Sequence, residues 1–340
     1  MAHDTPELRL AFVGCGRIAG FHLDGIEQAA RRTRVTAAVD PDPNAAAAIA
    51  ARTGARTYAS LEPALADGDF DAVDIMVPHD LHEELATRAF AAGKHVLLEK
   101  PMALTLDACA RIQEAARRAD TVFMVAENSQ YWPDVVRARE LLAEGAIGEA
   151  VTARASFEAA HDPFWYPSDS WRYEVSRTGG GVVVDGGAHW IRPLRMWLGE
   201  VEEVVATTSR LLPVMQGESL AHALLRFRCG VVASFQAITS DAPLWAGPWW
   251  RLTGTAGEIV IHGGFDGGMT VVDREHPEGR QIAGEHGYVA SFAPEMADFE
   301  AVVLDGRQPA APAEASLGEL RTALAIYRSA QSGRWEKVWD

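Results

Sequence analysis

A short apolar strand that runs directly into a glycine-rich turn is the feature that most constrains the fold of this chain. Leu8–Val13 predicts a buried strand, the turn at 14–19 reads GCGRIA, and a helical pattern follows it. Gly14 permits the tight turn, Gly16 lets the backbone approach a pyrophosphate, and Ala19 allows the helix to pack closely on the strand. We therefore predict a dinucleotide site with phosphate at the helix N-terminus, although the pattern also suits a tight turn without a ligand. The residues expected to contact the cofactor here are Gly14, Gly16, Arg17 and Ile18.

Two different rhythms divide the chain. As far as about residue 126, short apolar strands alternate with helical stretches, which predicts a parallel sheet covered on both faces. From about residue 151 onward, strand-like runs separated by glycine turns predict a mainly antiparallel sheet, and two helices close the chain. We therefore predict an α/β chain with a dinucleotide-binding domain over 1–130 and a second domain over 131–340 for substrate binding and oligomerisation.

The composition excludes several classes of protein. The chain has 340 residues, of which 48% are hydrophobic and 23% charged, as in ordinary globular proteins. Its net charge of −16 argues against a nucleic-acid partner, and no apolar run approaches the ~20 residues of a membrane helix. Three scattered cysteines do not indicate disulfides or a zinc site. The first residues lack the features of a signal peptide, so a cytoplasmic location is expected.

An acidic residue at the end of the second predicted strand bears on the choice of cofactor. Asp40 could accept hydrogen bonds from the adenosine ribose hydroxyls, and it would repel a 2′-phosphate. No arginine follows directly to receive such a phosphate. We therefore expect NAD rather than NADP. Asp40 could also simply begin the turn at 40–43, and the two roles are compatible.

Three side chains could carry acid–base chemistry. Lys100 lies between Glu99 and Pro101 at a strand end, where ligands bind in such sheets, although alone it could be an ordinary solvated lysine. Asp185 and His189 are spaced i and i+4, so on a helix they would share one face. A carboxylate beside an imidazole suits a general acid or base, and a purely structural pair is the alternative. No further ligand at a recognisable spacing indicates zinc, so no metal is expected.

Together these motifs resemble the glucose–fructose oxidoreductase / inositol dehydrogenase family, also called Gfo/Idh/MocA. The resemblance runs nearly from end to end of the chain. It covers the turn at 14–19, the segments 78–82 and 92–96, Glu99-Lys100-Pro101, Trp171-Arg172, the stretch 180–189, and the segments 292–299 and 329–330. The resemblance implies an N-terminal Rossmann domain and a C-terminal α/β domain on an open antiparallel sheet. It also implies hydride transfer between nicotinamide and a carbon that bears a sugar or cyclitol hydroxyl.

The resemblance also implies roles for individual residues. His189 would be the acid or base, Lys100 would hold the reacting oxygen, and Asp185 would orient the pair or bind a neighbouring hydroxyl. Asn128 and Tyr131 follow the last parallel strand, where we expect them to help shape a cleft. The expected cofactor contacts in this part are Pro78, His79, His82, Glu99, Lys100, Pro101 and Asn128. The expected substrate contacts are Lys100, Tyr131, Trp171, Arg172, Asp185, His189 and Arg192.

Two positions depart from the family pattern. His79 stands where the family often has asparagine, and Arg192 stands where inositol dehydrogenases use an aspartate on substrate. The loss of that carboxylate argues against myo-inositol itself. A cation there could favour a substrate with a carboxylate or phosphate, or Arg192 could turn away and pair with an acid on the surface.

Aromatic side chains are concentrated in two places. The first group consists of Trp165, Tyr166, Trp171, Tyr173 and Trp190, and the second of Trp245, Trp249 and Trp250. Aromatic faces suit the C–H faces of sugars. Packing in a core or at a subunit interface is the equal alternative for both groups.

We therefore predict an NAD-dependent dehydrogenase or reductase for a secondary hydroxyl or ketone of a sugar, glycoside or cyclitol. One alternative is a redox-neutral lyase, hydrolase or epimerase that holds NAD tightly. A second is a non-catalytic NAD-binding sensor, against which the intact set of Lys100, Asp185 and His189 argues. The expected partners are a small polyhydroxylated molecule and further copies of the chain, because an exposed sheet face would suit a homodimer or homotetramer. We expect neither nucleic acid nor membrane as a partner.

Overall fold

The computed structural model describes residues 6–244, 247–263, 267–284 and 287–339, which form two compact units. Within the described ranges, the first unit comprises 6–127 and 292–316, and the second comprises 128–291 and 317–339.

The first unit is built on a parallel sheet. Its elements as far as residue 126 are β1 (Leu8–Val13), α1 (Arg17–Gln28), β2 (Thr33–Val39), α2 (Pro43–Thr53), β3 (Arg56–Tyr58), α3 (Leu61–Asp67), β4 (Ala72–Ile75), α4 (His82–Ala91), β5 (His95–Glu99), α5 (Leu106–Ala119) and β6 (Phe123–Ala126). The six strands are ordered β3-β2-β1-β4-β5-β6, and all their pairings are parallel. The strand order reverses between β1 and β4, and ligands bind at the carboxyl ends of strands beside such a reversal.

Burial explains why these strands could be read from the sequence. Phe12 in β1 and Leu97 in β5 have no exposed surface, and all four residues of β4 are buried. A parallel strand covered on both faces needs apolar side chains at successive positions, so it leaves a continuous apolar run. The short elements β3 and α3 leave no such run and were not predicted.

The second unit is built on a larger sheet. Its elements before residue 283 are α6 (Pro133–Ala143), β7 (Ala150–Ala160), α7 (Val175–Thr178), α8 (Ala188–Leu198), β8 (Val201–Ser209), β9 (Leu220–Phe227), β10 (Val232–Ser240), β11 (Pro248–Gly254), β12 (Gly257–His262), β13 (Met269–Asp273) and β14 (Arg280–Ile282). Three elements end the chain, namely α9 (Phe292–Asp305), α10 (Leu317–Ser332) and β15 (Glu336–Lys337). The nine strands are ordered β14-β13-β12-β11-β7-β10-β9-β8-β15.

This sheet confirms the predicted mainly antiparallel architecture. Strands β7 and β10 pair in parallel, and the other pairings are antiparallel. Helix α8 packs on β7 and helix α10 packs on β8. The strand β9 alternates buried and accessible residues, as expected of a sheet with one covered face.

Helix α9 departs from the predicted domain boundaries. We placed the whole of 131–340 in the second domain, but α9 belongs to the first unit. The ring of Phe292 stacks on Phe21 of α1 at a centroid distance of 5.2 Å. Arg32 donates to Glu300 and to Asp305 of α9, with its Nη2 lying 2.7 Å from Asp305 Oδ2. The chain therefore returns to the first unit after eight strands of the second sheet, and α10 and β15 then complete the second unit.

Candidate active site

The glycine turn has the form that a dinucleotide phosphate requires. Gly14 has a φ of +90°, and a Cβ there would collide with the backbone carbonyl of Met76. Gly16 is the N-cap of α1, so no side chain occupies the space in front of the first helical turn. A Cβ added at Gly16 would meet no described atom within 4 Å. The turn thus leaves an open cradle at the positive end of a helix, which fits a pyrophosphate.

Asp40 lies beside this cradle, at the carboxyl end of β2. Its Oδ2 accepts a hydrogen bond of 2.7 Å from the backbone N–H of Cys15, and its Oδ1 accepts one of 2.8 Å from Asp42. Each carboxylate oxygen has a second lone pair, so Asp40 can hold the glycine turn and still accept from a ribose hydroxyl. Both predicted roles of Asp40, turn residue and cofactor ligand, are therefore compatible with its geometry. Burial, and the charge of Asp40, raise the pKa of the Cys15 thiol to about 12, which makes that thiol inert.

The segment after β4 carries two histidines that we expected along the cofactor. His79 and His82 are both buried. The ring of His82 bridges two backbone carbonyls, with Nδ1 at 2.9 Å from Pro101 O and Nε2 at 3.0 Å from Val77 O. His82 thus ties the end of β4 to the segment after β5. Its contact with a cofactor, and that of half-buried Pro78, stay predictions.

Lys100 follows β5 in the first unit. Its backbone N–H donates a hydrogen bond of 3.0 Å to Oε2 of Glu99, and the peptide bond between Lys100 and Pro101 is cis. The side chain of Lys100 is half-buried. The hydrogen bond to Glu99 thus holds the backbone at the carboxyl end of β5, where the Lys100 side chain begins.

In the second unit, Asp185 has a partner that the spacing did not predict. Helix α8 begins at Ala188, and residues 182–187 form the turn before it, so Asp185 precedes the helix that carries His189. The predicted contact between these two side chains stays a prediction. The Oδ2 atom of buried Asp185 accepts a hydrogen bond of 3.0 Å from Nε of Arg172. The guanidinium of Arg172 also lies 4.5 Å from the centroid of the Trp171 ring. Trp171, Arg172 and Asp185 therefore form one cluster, and their contact with a substrate stays a prediction.

His189 lies near an aromatic residue that sequence reasoning missed. Its ring centroid is 6.4 Å from that of Tyr288, at an angle of 76°. Tyr288 in turn meets the edge of Trp165, with a centroid distance of 6.4 Å. His189 and these two rings are all half-buried, so each exposes part of its surface. Tyr288 follows a stretch without periodicity, and no motif marked it.

A hydrogen-bond chain runs from an exposed carboxylate to buried tyrosines near the Arg172–Asp185 pair. Nδ1 of His161 lies 2.8 Å from Asp241 Oδ1, and its Nε2 lies 2.9 Å from the hydroxyl of Tyr173. The Tyr173 hydroxyl donates to the backbone oxygen of Tyr166 at 3.0 Å. Burial, and the negative charge of Asp185, raise the pKa of the Tyr166 hydroxyl, so that it stays protonated. His161 was also missed, because a lone histidine before a loop carries no signal of its own.

Arg192 does not offer an open cation. It is 5% exposed, and its Nε and Nη2 donate to Oε1 of Gln130 at 2.9 and 2.6 Å. Its Nη1 lies 3.4 Å from Oε1 of Glu319. The guanidinium therefore pairs with an acid as the alternative reading suggested, but inside the second unit rather than on its surface. We accordingly correct the expectation that Arg192 is held out toward an anionic substrate.

The contacts recorded for Asn128 and for the tryptophans of the second unit are with neighbouring protein side chains. Asn128 donates a hydrogen bond of 2.8 Å from Nδ2 to Ser291 Oγ, and both Asn128 and Tyr131 are buried. Trp190, Trp249 and Trp250 pack against Trp132 with centroid distances between 5.2 and 6.1 Å. Core packing thus accounts for Trp190, Trp249 and Trp250. Trp245 lies outside the described residues.

The described residues contain neither a metal-binding cluster nor a membrane-spanning helix. No group of three or more His, Cys, Asp or Glu side chains in that part of the chain is arranged to hold a metal ion. Among the same residues, no helix is long and apolar enough to cross a membrane.

Comparison with known proteins is consistent with this geometry. Residues 8–127 match the model of an oxidoreductase family with an NAD-binding Rossmann fold, and residues 135–260 match the GFO/IDH/MocA C-terminal domain. The chain is 30% identical over 304 residues to 1,5-anhydro-D-fructose reductase of Ensifer adhaerens, which covers 86% of this chain and 87% of that protein. It is 29% identical over 324 residues to an NADP(+) D-xylose 1-dehydrogenase of Haloferax volcanii, with coverages of 88% and 94%.

A solved structure agrees with the fold. The NAD binding oxidoreductase from Klebsiella pneumoniae superposes with a TM-score of 0.84 at 26% identity, covering 98% of this chain and 100% of that one. The predicted fold class, NAD as cofactor and oxidoreductase activity are thereby confirmed. The chain belongs to the Gfo/Idh/MocA family of NAD-binding oxidoreductases.

Proposed function

We propose that this protein moves a hydride between NAD and a secondary hydroxyl or ketone of an uncharged polyhydroxylated molecule, namely a sugar, glycoside or cyclitol. The observation that carries the proposal is the cluster of Trp171, Arg172 and Asp185 in the same unit as half-buried His189. A carboxylate, a guanidinium and aromatic surface are the groups that bind hydroxyls and C–H faces. The named sugar reductase and sugar dehydrogenase relatives support the same substrate class.

The charges of the second unit favour a neutral substrate. Arg172 is paired with Asp185, and Arg192 with Glu319, so each of these cations already has an anion. A substrate carboxylate or phosphate would have to compete with these carboxylates for the guanidinium groups. A hydroxyl, by contrast, can donate to Asp185 while the Arg172 pair stays intact.

The proposed chemistry uses three side chains. In the oxidative direction, the imidazole of His189 accepts the hydroxyl proton, and the ammonium group of Lys100 stabilises the charge that develops on the oxygen. Asp185, fixed by Arg172, binds a neighbouring hydroxyl and so orients the reacting carbon. A bound NAD supplies the hydride acceptor in this direction and the hydride donor in the reverse one. The residues that would hold it are those of the cradle and of the strand ends, with Gly14, Gly16 and Asp40 foremost.

A substrate panel tests the proposal. The purified protein is incubated with NAD and neutral sugars, glycosides and inositols, alongside uronates and sugar phosphates, and reduced nicotinamide is followed by absorbance. We expect turnover with neutral members of the panel. Turnover of charged members alone would contradict the neutral class. Product formation without reduced nicotinamide would instead favour the redox-neutral lyase or epimerase.

Two variants test the assigned chemistry. His189→Asn and Lys100→Met should each lower kcat by about a hundredfold or more, because each removes a group that acts on the reacting oxygen or its proton. NAD affinity, measured by fluorescence titration, should change little. His276→Asn and Lys337→Met are matched controls, since these two residues lie in a turn and at the chain end and pair with nearby acids. An active Lys100→Met would remove the proposed role of the ammonium group.

A further inference from the structure

Three ionisable side chains, which the proposed chemistry does not use, meet inside the first unit. His22 lies on α1, Asp74 on β4 and Glu99 at the end of β5. The side chains of His22 and Asp74 have no exposed surface, and that of Glu99 is 14% exposed. His22 Nδ1 lies 2.8 Å from Asp74 Oδ2, and its Nε2 makes an ion-pair contact of 3.3 Å with Glu99 Oε1. One imidazole thus stands between two carboxylates.

Two further acidic side chains, Glu295 and Glu127, are buried in this region. Glu295 interacts electrostatically with His22, Asp74 and Glu99, and Glu127 interacts with Glu295. Among the described residues, neither carboxyl oxygen of Glu295 has a hydrogen-bond partner. Burial raises the pKa of Glu295 well above its usual range, because a buried site disfavours the charged form of the carboxyl group. Despite the opposing effect of burial, Asp74 and Glu99 hold the pKa of His22 well above its usual value. The one cation therefore faces two anions, Asp74 and Glu99, that it contacts directly.

Glu99 connects this buried pair to Lys100. While its Oε1 contacts His22, its Oε2 accepts the backbone N–H of Lys100 at 3.0 Å. A carboxylate tied at one oxygen presents the other in a fixed direction. The orientation of Glu99 therefore determines whether the backbone of Lys100 keeps its hydrogen bond.

We propose that His22 is a positioning residue for Lys100. By holding Glu99, it fixes the backbone to which the Lys100 side chain is attached. A displacement of about 1 Å at a reacting group can lower a rate a hundredfold. The inference rests on the proposed role of Lys100 in hydride transfer. His22 acts through Glu99 and is not proposed to touch the substrate or the cofactor.

This role requires a side chain that presents an N–H group to each of the two carboxylates. An imidazolium has an N–H on both ring nitrogens. Nδ1 makes a hydrogen bond to Asp74, and Nε2 makes an ion pair with Glu99 whose geometry falls short of a hydrogen bond. A glutamine at position 22 has its amide donors on one atom and presents an acceptor oxygen on the other side. His22→Gln should therefore keep one contact and release the other carboxylate.

A double-mutant cycle tests the coupling. His22→Gln and Glu99→Gln are each expected to lower kcat by about tenfold or more, and KM for NAD should change less than about threefold in His22→Gln. If His22 acts through Glu99, the double variant should be no slower than the slower single variant. Additive losses, or a His22→Gln variant with nearly wild-type kcat, would overturn the inference. Ile112→Val, a substitution at a fully buried site on α5, controls for loss of stability alone.

A second measurement does not depend on activity. The backbone amide signal of Lys100 in a 15N-labelled sample, assigned by its change in Lys100→Arg, should shift upfield in His22→Gln because its carboxylate acceptor moves away. An unchanged signal would overturn the inference even if no substrate has been found. Absence of turnover by the wild-type protein contradicts the proposed function, whereas wild-type turnover with an unaffected variant contradicts only the positioning role.

Asp74→Asn serves if His22→Gln does not fold. This variant keeps the imidazole but removes one of the two anions that hold its charge. Glu99 still contacts His22 and Glu295 still interacts with it, but the charge of Asp74 is lost, so we expect the pKa of His22 to be lower than in the wild type. The alkaline fall of kcat should accordingly begin at lower pH in Asp74→Asn, and an unmoved pH profile would contradict the inference.

Discussion

At the scale of single residues, the carboxylate of Asp40 accepts hydrogen bonds from two backbone N–H groups. It holds the backbone of Cys15 in the glycine turn and begins the turn to Asp42. Asp40→Ala should therefore loosen the cradle as well as remove a ribose acceptor. We expect the Kd for NADH to rise by about tenfold to a hundredfold, since a hydrogen bond to a charged group contributes roughly 1.5–3 kcal/mol. Fluorescence titration measures this change.

Asp42 provides a matched control two residues further along the chain. Its side chain caps α2 by accepting the backbone N–H of Asn44 at 2.9 Å. Asp42→Ala should lower the free energy of unfolding by about 1 kcal/mol with the Kd for NADH unchanged. Equal effects of the two substitutions on the Kd would mean that Asp40 acts only through the local fold.

Glu295 leads to a prediction about stability and pH. Burial raises its pKa in the folded protein, so the native state keeps a proton that the unfolded chain loses above its ordinary pKa of 4.5. The wild type therefore loses stability through this group as the pH rises from about 4.5 toward the raised value, by at most about 1.4 kcal/mol per pH unit. Glu295→Gln cannot lose this proton, so its free energy of unfolding should increase relative to wild type across that window. Urea unfolding at successive pH values measures the difference.

The urea unfolding measurements at low pH provide a control. At pH 4 the carboxyl group of Glu295 is mostly protonated in both the folded and the unfolded wild type, so Glu295→Gln and the wild type should differ least there. Glu149→Gln, at an exposed position, should run parallel to the wild type at every pH. A constant offset between Glu295→Gln and the wild type would mean that Glu295 is ionised in the native state.

At the scale of elements, one carboxylate binds two backbone N–H groups at the start of the turn that carries Asp185. Glu218 Oε2 accepts the backbone N–H of Gly181 at 2.9 Å, and its Oε1 accepts that of Val183 at 2.9 Å and the hydroxyl of Tyr327 at 3.0 Å. In Glu218→Gln, the amide group would face one of these donors. We expect the free energy of unfolding to fall by about 1–3 kcal/mol, because a buried donor loses its acceptor. We also expect kcat to fall by roughly tenfold with the Kd for NADH unchanged, since Asp185 moves with the turn.

Tyr327→Phe separates the turn from its surroundings. It removes one donor and leaves both backbone N–H groups on Glu218, so kcat should stay within about threefold of wild type. Thermal unfolding and steady-state rates of Glu218→Gln and Tyr327→Phe measure these effects on stability and on kcat. If Tyr327→Phe lowers kcat as much as Glu218→Gln does, packing of α10 rather than the carboxylate controls the turn.

The sequence revealed elements and motifs better than the contacts between them. Continuous apolar runs and the glycine turn predicted β1, α1 and the parallel sheet, because burial on both faces leaves a local pattern. The partner of Asp185 could not be found in this way, since Arg172 precedes it across a non-periodic turn. Arg192 meets Gln130 and Glu319, which are 62 and 127 positions away in the chain. The return of α9 to the first unit is likewise a long-range packing choice that no local pattern records.

At the scale of the whole molecule, one face of the nine-stranded sheet is accessible over several strands. The side chains on this face include Arg154, Thr207, His222, Leu224, Ser234 and Gln236. Leu224 at their centre is 44% exposed, on a strand whose alternate residues are buried. We propose that a second copy of the chain covers this face, because a flat sheet face with a central apolar side chain suits a symmetric interface.

Leu224→Glu should then convert the oligomer to monomers. Placing a carboxylate at the centre of a symmetric interface brings two like charges together and buries both, at a cost of several kcal/mol. Size-exclusion chromatography with light scattering measures the mass over a range of concentrations. Leu211→Glu is the matched control, because Leu211 is 45% exposed but lies in the loop after β8 rather than on the sheet face. A wild-type monomer, or equal dissociation of both variants, would contradict the assignment of this face, whereas loss of assembly in Leu224→Glu alone would locate the interface on β9.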